Sequence, residues 1–207
     1  MSLRLPVDAD RLWDDIMALA AISDPERPYT RRSFTSLYQQ GREWLTRRFR
    51  EAGLEVRIDA AGNLIGRRAG ADSGLKAIVL GSHSDTVPSG GRFDGIAGVI
   101  AALETARSLK DAGVVLRHPL EVVDFLAEEP SEFGLSCVGS RGMAGALEPS
   151  MLALKVPGTS RWPTRFAGLA EIPRDSPRPS GRMSASFSNC ISSRASCWYP
   201  RESMSAS

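Results

Sequence analysis

Two short, almost unbroken apolar runs constrain this chain more than any other feature: KAIVLGS at 76–82 and LEVVDFLA at 120–127. Runs of that length and composition read as buried strands of a partly parallel sheet. Between them, residues 95–112 repeat apolar side chains at helical spacing, with Ile96, Val99, Ile100, Leu103 and Ala106 inward. Strand, helix, strand in that order predicts a βαβ unit and an α/β class. Upstream, residues 8–22 place Leu12, Trp13, Ile16, Met17, Leu19 and Ala20 on one broad face. Residues 36–52 carry Leu37, Trp44, Leu45 and Phe49 near helical spacing, with Gly53 where a C-cap belongs. LEVRIDA (54–60) and LIGRR (64–68) read as a hairpin around the turn AGN. The expected body is a partly parallel mixed sheet flanked by helices.

Composition matters where this pattern stops. Residues 156–207 hold seven Arg, no Lys, twelve Ser and six Pro, with no helical or strand period. We therefore divide the chain into a folded body, 1–155, and a disordered tail, 156–207. With 42% hydrophobic and 24% charged residues, the whole is globular in composition. No apolar run approaches the ~18 residues of a membrane span. The opening MSLRLPVDADRLWDDI lacks an apolar signal core, and three cysteines without a CxxC spacing exclude a disulfide scaffold or a cysteine zinc finger. A reducing cytoplasm is the expected compartment. Scattered tail arginines without a basic helical face give no nucleic-acid site.

The chemistry-bearing residues fall at the C-terminal ends of the two apolar runs, where open α/β sheets place their sites. The first cluster is GSHSDTVPSGGRFDG, 81–95. His83 and Asp85 are two apart in extended backbone, so they share a face. An acid beside a metal-binding histidine fixes its tautomer. Asp94 follows a Gly-rich loop and immediately precedes a helix, where it also reads as a simple cap. The second cluster is Glu128-Glu129, directly after the second run. Adjacent carboxylates at a strand end repel unless a cation or proton intervenes. A division of labour answers this: one carboxylate binds metal and the other takes the proton of the attacking water. The loop has neither a GxxxxGK[ST] nor a GxGxxG pattern, so it is not a nucleotide loop. His118, before Pro119, reads as a surface residue, and Cys137 as a small buried one.

In that order the words DAAGNLIGR (59–67), GSHSDTVPSGGRFDGIAGV (81–99), PLEVVDFLAEEPSEFG (119–134) and VGSRGMAGAL (138–147) resemble the zinc-dependent hydantoinase/carbamoylase amidohydrolases. That family, within the dinuclear aminoacylase and carboxypeptidase clan, includes N-carbamoyl-L-amino-acid hydrolases, β-ureidopropionases and allantoate amidohydrolases. The resemblance covers roughly residues 8–155. It implies a phosphorylase/hydrolase-like dinuclear catalytic domain, here truncated, that cleaves linear amide or ureido C–N bonds. It also implies two divalent ions, zinc or manganese. By the same resemblance His83 binds one ion, Asp94 bridges both and Glu129 binds the second. Glu128 is then the general base, and Asp85 orients His83. The implied partner is a small N-carbamoyl or ureido substrate, with no nucleic acid or membrane; the full-length family is homodimeric. A dipeptidase or deacylase of the same clan, or a non-catalytic metal-binding remnant, are the competing readings.

The chain departs from that pattern downstream. The family takes a further histidine for each ion, one from a word like HIEQG, whereas no histidine follows His118 here. Arg outnumbers Lys 23 to 3, as in a GC-rich gene, and such genes read out of frame yield Arg, Ser, Pro and Ala. Codons permitted for residues 187–198, read two bases on, translate as LELHIEQGVVL. The expectation is a frameshift near residue 155, which leaves the literal chain with an incomplete ligand set and no activity.

Overall fold

The computed structural model describes residues 5–154. The tail assigned above to 156–207, with Cys190 and Cys197, lies outside the described residues. Helix α1, Ala9–Ala21, starts where the Asp8 carboxylate accepts the Arg11 N–H. Helix α2, Ser36–Glu51, starts in the same way from Thr35 and ends before Gly53, whose φ of +80° turns the chain away. The hairpin of β1, Glu55–Ile58, and β2, Leu64–Arg68, comes next. Then come β3, Ile78–His83, α3, Ile96–Asp111, and β4, Leu120–Phe125. Two short helices close the described chain, α4 at Val138–Met143 and α5 at Pro149–Leu152. Neither has an amphipathic pattern long enough to be read in the sequence.

The four strands lie in the order β1-β2-β4-β3. β3 and β4 pair in parallel, with α3 as their crossover, and the other two pairings are antiparallel. This is the mixed sheet flanked by helices that the alternation predicts. The main core joins Ile16 and Leu19 of α1, Leu45 and Phe49 of α2, and Val99, Ile100 and Leu103 of α3 to Leu64, Leu120 and Val122 of the sheet. A smaller cluster on the opposite face holds Ile65, Val123 and Phe125, with Val79 and Met143 against it.

Three expectations need correction. β4 is buried throughout, but β3 is not; it is an edge strand among the described residues, and Ile78 is 41% exposed. An apolar run signals β propensity and burial together, and says nothing of how many neighbours the strand has. Trp13 does not join the buried face of α1: it is 51% exposed and rests against Phe93, 5.7 Å between ring centroids. In its place Asp15 is buried, through a 2.6 Å ion pair with Arg107 of α3. Cys137, read as a small buried residue, is half-buried in left-handed backbone, and its Sγ lies 3.8 Å from the Glu128 carboxylate.

Candidate metal centre

Parallel pairing sets the last residue of β3 beside the last of β4, His83 opposite Phe125, so the segments leaving both strands emerge at one sheet edge. After β4 the backbone takes a left-handed turn at Ala127 (φ 45°), which carries Glu128 and Glu129 out of the sheet. That turn is held by a second stretch of chain. The N–H groups of Cys137, Val138 and Gly139 donate to the carbonyls of Glu128, Ala127 and Leu126. Asn63, fully buried, completes it: its side-chain oxygen accepts the Leu126 N–H at 3.0 Å and its amide donates to the Gly139 carbonyl at 3.1 Å.

His83, Glu128 and Glu129 each offer a ligand atom, and these atoms all lie within 4.8 Å of one another. His83 is buried, and its Nε2 lies 3.4 Å from Glu128 Oε2. Its Nδ1 faces the other way, 3.0 Å from the Asp85 carbonyl oxygen and 3.5 Å from the Asp85 carboxylate. Asp85 does more than the sequence indicated. Its two carboxylate oxygens accept the backbone N–H groups of Glu128 and Glu129, each at 3.2 Å. One buried carboxylate thereby ties the imidazole of one strand end to the backbone of the other.

Gly95 seats the imidazole from the opposite side. Its φ is +68°, and a Cβ there would stand 2.6 Å from His83 Cε1 and 2.7 Å from Nδ1. A glycine is required on both counts. Asp94 is exposed at the turn into α3 and lies outside the three-residue group, although its charge reaches Glu129. His118 stands apart, with Nδ1 2.8 Å from the Lys76 carbonyl oxygen.

The electrostatics describe a site in need of positive charge. Burial pushes the His83 imidazole down, but the Asp85 hydrogen bond and the charges of Asp85 and Glu128 outweigh it and lift the imidazole to about 9. Burial raises the Glu129 carboxyl to about 7; His83 opposes that rise, while Glu128, Asp94 and Asp85 add to it. Protons are thus drawn onto two groups whose ligand atoms lie within 4.8 Å of each other. A divalent cation would relieve the same repulsion, and one imidazole nitrogen with carboxylate oxygens is a donor set that suits zinc or manganese. With Nδ1 occupied by Asp85, Nε2 is the nitrogen left for the ion. The residues present fit a metal.

A separate polar cleft of about 600 Å³ lies between α1, α2 and α3, lined by residues such as Asp8, Arg11, Asp15, Arg48, Arg107 and Asp111. Many of its charges pair across the helices, Arg11 with Asp111 at 3.0 Å and both Arg48 and Arg107 with Asp15 at 3.2 and 2.6 Å, which makes it a seam of helix packing.

The chain resembles known proteins in sequence and in fold. Residues 63–156 match the profile of Peptidase family M28. An N-carbamoyl-L-amino acid amidohydrolase of Geobacillus stearothermophilus is 42% identical over 147 residues, 70% of this chain and 36% of the relative. A ureidoglycolate hydrolase of Oryza sativa subsp. japonica is 43% identical over 143 residues, 69% of this chain and 30% of the relative. Among solved structures, a hydantoinase/carbamoylase family amidase from Burkholderia ambifaria superposes with a TM-score of 0.72 at 37% identity, covering 81% of this chain and 40% of that one. The chain therefore spans about a third of the length of the curated relatives it matches.

Proposed function

The chain belongs to the hydantoinase/carbamoylase amidohydrolases, and from that premise we propose that it is the N-terminal catalytic part of a metal-dependent hydrolase of linear ureido and amide C–N bonds. The observation that carries this reading is the group of His83, Glu128 and Glu129, organised by Asp85 at the end of a parallel strand pair.

In this reading His83 Nε2 and Glu129 would hold divalent ions, and Asp94, at the turn before α3, would be a further ligand. Bound there, zinc or manganese would supply Lewis acidity toward the scissile carbonyl and the attacking water. Glu128 stands within hydrogen-bond reach of the same space, takes the proton of the attacking water and passes it to the leaving nitrogen. Asp85 keeps a proton on His83 Nδ1, so that Nε2 stays directed at the ion. The substrate class is a small N-carbamoyl or ureido compound, in keeping with the activities for which the two curated relatives are named. A ureidoglycolate-type substrate stands beside N-carbamoyl amino acids on the strength of the comparably high identity to the plant enzyme.

We read the literal 207-residue chain as inactive and cytoplasmic, its tail translated out of frame after about residue 155. Dimerisation then belongs to the longer, frame-corrected protein. Nucleotide sequence across codons 150–160 tests the frameshift directly. For activity, the chain and a frame-corrected gene are expressed with added zinc or manganese, and release of ammonia or free amino acid is monitored. Turnover of ureido compounds by the corrected protein alone is expected, and Glu128→Gln should abolish it while metal binding persists. Turnover of dipeptides only would favour a deacylase or dipeptidase of the same clan.

A further inference from the structure

Between His83 and Asp85 stands Ser84, a fully buried residue that offers no ligand atom to the cluster. Two buried systems converge on it from different parts of the chain. Its hydroxyl donates to Asp124 Oδ2 at 3.1 Å, and the Arg42 guanidinium of α2 lies 3.3 Å from the same oxygen. Its carbonyl accepts Arg31 Nε at 2.9 Å. Arg31 is wholly buried, and no carboxylate is among its hydrogen-bond partners here. Its remaining donors go to the carbonyls of Leu19 and Ile22 at the end of α1, both at 2.7 Å, and to the Tyr29 hydroxyl at 2.9 Å. The negative end of a helix is a suitable counter-charge for such a cation. The Arg31 backbone also exchanges hydrogen bonds with Thr86, donating to Oγ1 and accepting from N–H.

Part of this polar cluster is left unsatisfied. Among the described residues Arg42 Nε and Nη2 and Asp124 Oδ1 are buried without a hydrogen-bond partner. Each buried polar group left unpaired costs roughly 1–3 kcal/mol. Buried ion pairs are in many proteins no more stabilising than well-packed apolar side chains of similar volume. What the cluster does achieve is geometric: it fixes the Ser84 peptide at both its hydroxyl and its carbonyl, and with it the direction in which His83 and Asp85 leave β3.

We infer that Arg31 and the Arg42–Asp124 pair form a clamp on Ser84 that positions His83 and Asp85 for ion binding. The inference rests on the metal reading proposed above, and it makes Ser84, Arg31 and Asp124 positioning residues.

The chain has only two histidines, and the distant His118 serves as an internal reference. Imidazole ¹⁵N–¹H spectra of the full chain at one fixed pH are recorded for the wild type, Ser84→Ala, Ser84→Thr, Asp124→Asn and Arg31→Lys, with and without zinc. Zinc affinity is measured by calorimetry, and thermal midpoints by circular dichroism. In Ser84→Ala and Asp124→Asn the His83 ring signals should move while those of His118 stay. Zinc affinity should fall about tenfold, the scale of changes to groups that orient ligands. Ser84→Thr, which keeps the hydroxyl, should restore both. Lower thermal midpoints with His83 signals and zinc affinity unchanged would overturn the clamp. Wild-type His83 signals that ignore saturating zinc would instead overturn ion binding by this chain's own His83, Glu128 and Glu129, and the clamp would still be judged by the metal-free His83 signals.

Discussion

Gly95 and His83 meet so closely that the glycine has no room for a side chain: a Cβ would press on the imidazole edge at 2.6 Å. The same residue holds a φ of +68° at the start of α3. The turn that begins the crossover helix and the seat of the candidate ligand are one structural element.

Gly95→Ala should therefore damage two things together. Forcing a Cβ residue into this backbone costs about 1–3 kcal/mol. The displaced imidazole should also weaken zinc binding. Urea midpoints and zinc calorimetry read the two effects separately; a variant with native stability and native affinity would contradict the contact.

Asp85→Asn should loosen the link between the strand ends. The amide can accept only one of the Glu128 and Glu129 N–H groups, and turns its own N–H₂ toward the other. Leaving a buried donor unpaired costs roughly 1–3 kcal/mol. Chemical denaturation should show that loss, with reduced zinc affinity beside it.

Asn63→Ala removes a fully buried amide that bridges Leu126 and Gly139 beneath the Glu128 turn. The Leu126 N–H loses its partner, and a cavity remains. A loss of about 2–4 kcal/mol is expected in urea unfolding.

Asp124 should give stability a dependence on pH. Burial raises its carboxyl to about 6 from an ordinary 3.8; Arg42 opposes this, Asp85 adds to it, and the Ser84 hydrogen bond and His83 oppose it. The folded state thus holds a proton that the unfolded state releases. Its contribution is complete below about pH 4 and is lost as pH rises through 6. Relative to Asp124→Asn, the wild type should lose on the order of 2 kcal/mol between pH 4 and 7. Denaturant midpoints across that range check the slope.

The helices and strands were legible because each carries its own period. Ile96, Val99, Ile100, Leu103 and Ala106 turn inward as their spacing requires, and β2 has the bounds its residues predict. His83, Glu128 and Glu129 were legible because strand ends of a βαβ unit converge by geometry. What escaped was polar and buried. Arg31, Arg42, Asn63 and Asp124 have no period, and each is read from sequence as solvated until the distant partners that bury it, 53 to 82 residues away, are known. The edge position of β3 escaped for a related reason, since strand order is a property of the whole sheet.

That edge position has a consequence for backbone chemistry. The Ile78 N–H donates to the Pro119 carbonyl, toward β4. Alternation along the strand then turns the N–H groups of Leu80 and Ser82 toward β4 and those of Val79, Gly81 and His83 outward. Deuterium uptake along β3 should keep a two-residue rhythm, fast at Val79 and Gly81 and slow at Leu80 and Ser82. Among the described residues, the strand that ends in the candidate ligand is thus latched along one side only, and the slow amides measure how often that latch opens.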